Sequence, residues 1–229
     1  MTKNTSSEET KSSNSEPNTL QRFKNEAGPV GYIGAIIGVA ILLGTSLYFY
    51  LDIQKQKKNA TAQNEIFQAQ YYYEKDSIDA GLLGDGRNLG FIDIIDIYSG
   101  TEVANLAHFY AGASYLKKRE YQKAVDYLQK FSTSEEIVMA RAEKLLGDAY
   151  MELGNFTDAS KNYMKAAKTV NDQFFSPGYL MKAALAFERA SDLTAAIDAI
   201  DQVINKYEDS AEYNDARKHK ARLEALAGN

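Results

Sequence analysis

The chain has 229 residues, of which 25 % are charged and 45 % hydrophobic, and it carries a formal charge of −5 at pH 7. It has no cysteine, which excludes structural disulfides and thiolate metal sites. The acidic excess lies wholly beyond an apolar stretch near the N-terminus, because the first 28 residues hold as many basic as acidic side chains; an acidic domain without a basic face is a poor ligand for phosphate backbones, so no nucleic-acid partner is expected.

Residues 1–28 are rich in Ser, Thr, Asn and charge, with Leu20 and Phe23 the only large apolar side chains. Such a segment cannot bury enough surface to offset the entropy of ordering it, and a disordered tail is expected. No charged residue follows until Asp52. As a helix, the 22 residues Val30 to Leu51 would rise about 33 Å, enough for a hydrocarbon core of about 30 Å. Tyr32 at one end and Tyr48, Phe49 and Tyr50 at the other sit where interfacial aromatics are found, so 29–51 reads as a retained transmembrane helix. A cleavable signal peptide would be shorter, start earlier and end in small residues. Gly34 and Gly38 form a Gly-x-x-x-Gly element that would let a second helix approach the anchor.

Residues 52–103 read as a juxtamembrane segment. A helix is expected from Asp52 to about Ala80, with Ala62, Ile66, Phe67, Ala69, Tyr73 and Ile78 near one stripe. GLLGDGRNLG then breaks regular structure and reads as a plain connector, since it has neither the Gly-Lys-Ser/Thr ending of a P-loop nor the acid spacing of a calcium loop. Phe91 to Tyr98 is expected to be a short amphipathic helix that closes a degenerate first hairpin.

The stretch 104–207 repeats itself. Gly112, Tyr115, Tyr121, Ala124 and Leu128 each have a counterpart 35 residues later in Gly147, Tyr150, Phe156, Ala159 and Tyr163, and Ala184, Phe187, Leu193, Ala196 and Ile200 keep the same internal spacing. A small residue with an aromatic three positions on, then a second small residue across a turn, is the pattern of two helices packed closely as a hairpin. In these positions the chain resembles the tetratricopeptide repeat family, whose period is about 34 residues. The second copy, LGDAYMELGNFTDASKNYMKA, carries almost every framework position, whereas the third lacks the turn glycine. The final segment, 208–229, is expected to hold a capping helix over Ala211–Ala227. Asp209 and Glu212 show capping-box spacing, Tyr213, Ala216, Leu223 and Leu226 face the array, and ARKHKAR faces water. The expected fold class is therefore all-α, a single N-terminal transmembrane helix followed by a tetratricopeptide-type helical-hairpin solenoid.

A nucleophile with its base, or a metal held in a pocket, is nowhere suggested: His108 and His219 are far apart and every acid lies on an amphipathic helix. The expectation is a protein that is not an enzyme, with no catalytic residue, no metal, no cofactor and no small-molecule substrate, and with His108 serving helix packing. Its business surface would be the concave side formed by the first helix of each pair. Counted from the framework glycines, the inward positions are Phe109, Ala113 and Leu116, then Lys144, Asp148 and Met151, then Met181, Leu185 and Glu188. That lining suits extended or amphipathic apolar segments. Tetratricopeptide modules that grip chaperone C-termini place a Lys and Asn clamp at such positions, and Phe109 with Ala113 here does not match it.

The whole architecture resembles the YfgM-type ancillary subunit of the bacterial Sec translocon. The likeness is carried by the anchor at Val30 to Leu51, by AQNEIFQAQYYYE, by SGTEVANLAHFYAGASYLKKREYQKAVDYLQKF and by LLGDAYMELGNFTDASKNYMKAA. It implies a single-pass protein of the bacterial inner membrane with a cytoplasmic N-terminus and a periplasmic repeat domain. Implied partners are the Sec translocon subunits, a PpiD-like membrane chaperone and emerging secretory polypeptides. Lys55, Lys57 and Lys58 after the anchor outnumber Arg22 and Lys24 before it and favour the opposite orientation. Two other readings stay open from the sequence: an envelope scaffold for cell-division or outer-membrane assembly machinery, and a cytosol-facing import receptor.

Overall fold

The computed structural model describes residues 19–228, without the side chains of 20, 21 and 23–30; residues 1–18 of the expected tail lie outside the described residues. Ten helices and no strand occur among the described residues. The chain divides into two units, residues 1–54 and 55–229, and helix α1 (Thr19–Glu74) contributes to both. α1 begins at Thr19, inside the segment expected to be disordered. The reason is local: residues 19–27 contain no Gly or Pro and are mostly strong helix formers.

In the first unit, α1 carries one stretch long and apolar enough to cross a membrane, and none of it is buried. Leu42, Leu43, Tyr48 and Phe49 are all more than 60 % exposed, and a Cβ added at Gly34 or Gly38 would meet nothing within 4 Å. So continuous an apolar surface is unfavourable in water and favourable in a bilayer.

In the second unit, α1 ends at Glu74, short of the expected Ala80. It is followed by α2 (Ile78–Leu83) and α3 (Phe91–Ile97), then by the hairpins α4 (Glu102–Lys117) with α5 (Tyr121–Leu128), α6 (Glu136–Glu152) with α7 (Phe156–Val170), and α8 (Ser176–Arg189) with α9 (Leu193–Lys206). α10 (Tyr213–Ala227) packs on α9. From α4 to α10 each helix packs on the one before it, as stacking of hairpins requires.

The turns inside these hairpins share one hydrogen-bond pattern. Arg119 N–H bonds to Leu116 C=O and Glu120 N–H to Tyr115 C=O; Gly154 and Asn155 bond in the same way to Met151 and Tyr150, and Ser191 and Asp192 to Glu188 and Phe187. The middle residue is left-handed each time, with φ of 61°, 73° and 63°. A fourth copy stands where α1 meets α2: Asp76 N–H bonds to Tyr73 C=O, Ser77 N–H bonds to Tyr72 C=O, and Asp76 has φ of 59°. Aligned on this turn, Ala69, Tyr72, Ile78 and Gly81 fall on the framework of Gly112, Tyr115, Tyr121 and Ala124. Ala69 and Gly81 are both buried, and a Cβ on Gly81 would lie 3.0 Å from Ala69 O. The degenerate first hairpin is thus closed by α2 and not, as the sequence suggested, by the helix at Phe91.

α3 does a different job. The connector from Gly84 to Gly90 is pinched shut, because a Cβ on Gly90 would come within 2.3 Å of Gly84 N and 2.5 Å of Leu82 O. Asp85 ties its interior by accepting from Arg87 N–H (2.8 Å), Asn88 N–H (2.7 Å) and the Tyr72 hydroxyl (2.6 Å), and the Tyr72 hydroxyl leads the contacts that hold the Asp85 carboxyl far below its ordinary range. Phe91, fully buried, then stacks on Tyr110 (5.1 Å between centroids) and meets Tyr73 edge-on. It fills space that the rest of a full second helix would occupy.

The core forms two main clusters. One joins Ala62, Ile66 and Ala69 of α1 to α3, α4, α5 and part of α6, the other gathers residues of α7 to α10, and Tyr150 packs against both. Glu143, 1 % exposed, ties α6 to α7 by accepting from Thr169 Oγ1 (2.8 Å) and Lys165 Nζ (3.0 Å), which answers the cost of burying its charge.

The last helix departs from expectation. α10 starts at Tyr213, its N-cap Glu212 makes no side-chain cap bond, and no capping box forms; the Glu212 carboxylate lies instead over Gly178 of α8. Ala216 and Leu223 are fully buried, but Leu226, expected to face the array, is 53 % exposed beyond the last turn that α9 supports. Nor is ARKHKAR simply a solvated face. Arg222 grips Glu188 with two bonds of 2.7 and 2.6 Å, His219 Nε2 lies 2.9 Å from the same carboxylate, and Lys220 reaches Asp201 at 2.6 Å.

Candidate partner-binding groove

The first helices of the three hairpins, α4, α6 and α8, border a cleft of about 450 Å³. Its apolar lining is Leu116, Met151 and Leu185, which occupy successive hairpins, together with Tyr121 and the ring of Tyr163; Lys117, Arg119, Glu152, Asp148 and Lys182 supply the polar part. Leu185 is 42 % exposed and Met151 half-buried, so apolar surface is available at the mouth.

The polar floor is satisfied internally. Asp148 accepts from the Tyr163 hydroxyl (2.8 Å) and pairs with Lys144 (2.6 Å) and Lys182 (3.2 Å), whose ammonium also stands 5.5 Å over the Tyr163 ring. Burial, and then the adjoining Asp148 charge, push the Tyr163 hydroxyl well above its ordinary pKa, so it remains a donor. Gly147 makes room for this ring, because a Cβ there would lie 2.6 Å from it. The same glycine that allows α6 and α7 to approach therefore fixes the floor of the cleft.

Of the nine inward positions read from the sequence, Leu116, Asp148, Met151 and Leu185 line the cleft. Lys144 joins them through its ion pair with Asp148, and Met181 packs half-buried against the C-terminal core. Phe109 and Ala113 do not reach the surface; they are 7 % and 3 % exposed, with Phe109 against Phe131 at 5.3 Å. These positions face the neighbouring helices of the stack. A long charged side chain such as Lys144 can extend out of that position, whereas an aromatic or a methyl stays in it. Glu188 is likewise absent from the cleft lining and is held by α10, whose Arg222 and His219 bonds lower its carboxyl to about 2 from an ordinary 4.5.

Sequence reasoning missed Tyr163, Lys182, Lys117, Glu152, Arg119 and Tyr121. Tyr163 was legible as the framework residue matching Leu128 and Ile200, but its hydroxyl reaches the cleft because it is longer than either. Arg119 stands in the interhelical turn and Tyr121 at the first position of α5; Tyr121 was legible as a framework residue, but the return of the turn toward the concave side carries no sequence mark.

No group of three or more His, Asp or Glu that could hold a metal ion occurs among the described residues. His108 lies half-buried beside Tyr127, 5.8 Å between ring centroids, and burial holds its pKa below the ordinary value.

The tetratricopeptide repeat family model matches residues 106–134 and 179–210, the first and third hairpins. The third is matched although it lacks the turn glycine. Among curated proteins there is no significant match. The chain therefore carries tetratricopeptide repeats, helical hairpins that serve as a protein–protein interaction module.

Proposed function

We propose that the repeat domain is a non-catalytic adaptor that takes an apolar polypeptide segment into the α4–α6–α8 cleft while the apolar part of α1 holds it to a membrane. The observation that carries this reading is the apolar line of Leu116, Met151 and Leu185 above a polar floor that already satisfies itself. A bound segment would gain by covering the apolar line without having to supply a partner for Asp148. Arg119, which makes no ion pair among the described residues, stands at the rim and would favour an acidic residue beside the apolar stretch.

The resemblance to the YfgM-type subunits supports a finer assignment. The domain would face the periplasm from the bacterial inner membrane and work beside the Sec translocon, with a PpiD-like chaperone and emerging secretory polypeptides as partners, and Gly34 and Gly38 would pack the anchor against a neighbouring span. Tethering confines the domain near the membrane, so individually weak contacts suffice. A photo-crosslinking residue at Met151 or Leu185 in native membranes tests this: adducts with a translocon subunit, a membrane chaperone or a secretory chain are expected, and Leu185→Asp should reduce those from position 151 at least tenfold. Labelling of none of these proteins refutes the assignment.

A further inference from the structure

α1 has a second face that the repeat domain leaves uncovered. Within the second unit, Ala62, Ile66 and Ala69 point into the core, with Asn59 and Tyr73 beside them. On the opposite side Lys57, Ala60, Asn64, Phe67, Tyr71 and Glu74 are all exposed, Phe67 to 69 % and Tyr71 to 46 %. Their spacings alternate three and four residues, the seven-residue repeat of a helix seam. From Asn59 to Tyr73 the only charged residue is Glu65, which lies off the seam. The flanking positions, Thr61 and Gln68 on one side and Gln63 and Gln70 on the other, are all uncharged.

We propose that this face pairs with the same face of a second copy of the chain, forming a short parallel two-helix seam centred on Asn64 and Phe67. Three observations favour a second copy over a foreign helix. The Asn64 amide is both donor and acceptor, so at equal height on two parallel helices it satisfies its twin, and a buried Asn at such a position fixes a parallel two-stranded register. Foreign partners of such seams are selected by charge at the flanking positions, which between Ala60 and Tyr71 carry none and so oppose no self-pairing there, while Lys57 and Glu74, which would meet their own copies, bound the seam at its two ends. Finally, the seam from Ala60 to Tyr71 is only about 17 Å long, too short to hold two helices together from dilute solution. Two chains anchored in one bilayer leave it in the same direction and at high local concentration, which supplies both the parallel sense and the missing affinity. The inference rests on the membrane tether proposed above.

Because the natural chain has no cysteine, single cysteines report the contact. Full-length chains with Ala60→Cys, Asn64→Cys, Phe67→Cys or Tyr71→Cys, in native membranes under mild oxidation, should give a species of twice the chain's mass at least tenfold more abundant than Lys58→Cys or Gln122→Cys. Adding Phe67→Glu and Tyr71→Glu to Ala60→Cys should abolish that species and leave the thermal unfolding of the repeat domain unchanged, because both side chains are exposed. Equal crosslinking at all positions, none at the seam, or adducts of another mass there would overturn the dimer. Washing the membranes with alkaline carbonate keeps the two ideas apart. If the chain stays with the membranes but the seam pattern is absent, the dimer alone fails; if the chain is released, the tether fails and takes the dimer with it.

Discussion

The α1–α2 hairpin and the α6–α7 hairpin are built on the same turn and the same four framework positions, yet one runs to a 15-residue second helix and the other stops after six. In the full hairpin, Ala159, Tyr163, Ala166 and Val170 continue the buried face of the second helix, and each added turn of helix adds contact. In the short one, Gly84, with φ of 82°, ends α2 at once, and Phe91 arrives from a separate helix to fill the vacated space. The comparison shows that the turn specifies how two helices cross, and that the length of the second helix is set by whether its sequence keeps supplying buried residues. A hairpin can lose half of one arm and keep its geometry, provided something else covers the exposed apolar surface.

Removing that cover is the most severe test. Phe91→Ala should cost about 3–5 kcal/mol in denaturant unfolding, and hydrogen exchange should show α1–α4 losing protection before α8 and α9. Gly147→Ala attacks the full hairpin instead. Displacing the Tyr163 ring should cost about 1–3 kcal/mol and break the Tyr163–Asp148 bond, so binding at the cleft should weaken along with stability. A finer contrast concerns the caps. Asn155 and Asp192 accept from the N–H three residues on, at 3.3 and 3.0 Å, whereas Ser77 makes no such bond. Asn155→Ala and Asp192→Ala should each cost about 1 kcal/mol, and Ser77→Ala close to nothing, by thermal melting.

The smallest effect comes with pH. The Glu188 carboxyl titrates at about 2 in the folded state against an ordinary 4.5, so its contribution to stability is fully present above 4.5 and drains away as pH falls toward 2. Amide exchange in α10 should therefore quicken over that window in the wild type, and Glu188→Gln, already lacking the ion pair, should show a flatter dependence.

How much of this was legible in the sequence depended on which residues carry the signal. The hairpins could be read because a small residue and an aromatic recur at fixed distance, and both are demanded by close helix packing. The short hairpin was legible as a degenerate one, but its closing helix was not, because its small pair, Ala69 and Gly81, stands out of period with the rest and runs into the glycine-rich connector. The turn itself was visible only at Gly154, since Arg119, Ser191 and Asp76 adopt the same left-handed geometry without being glycine. For the groove, spacing found Leu116, Asp148, Met151 and Leu185 but could not tell that Phe109 and Ala113 are too compact or too apolar to emerge. Nor could it foresee that Glu188 is claimed by Arg222 and His219, a contact across 34 residues that depends on how α10 lands.

Tyr150 touches both core clusters, and this has a mechanical consequence. A pull applied between the N-terminal and C-terminal hairpins of the domain must pass through the middle pair, where its ring interlocks the two halves and its hydroxyl accepts from Gln129 at 2.7 Å. Under load the second hairpin, tied within itself by Glu143 to Thr169 and Lys165 and by Asp148 to Tyr163, should hold as one piece, so the concave surface would open like a book at the boundary with α5, where Tyr150 and Gln129 make the crossing.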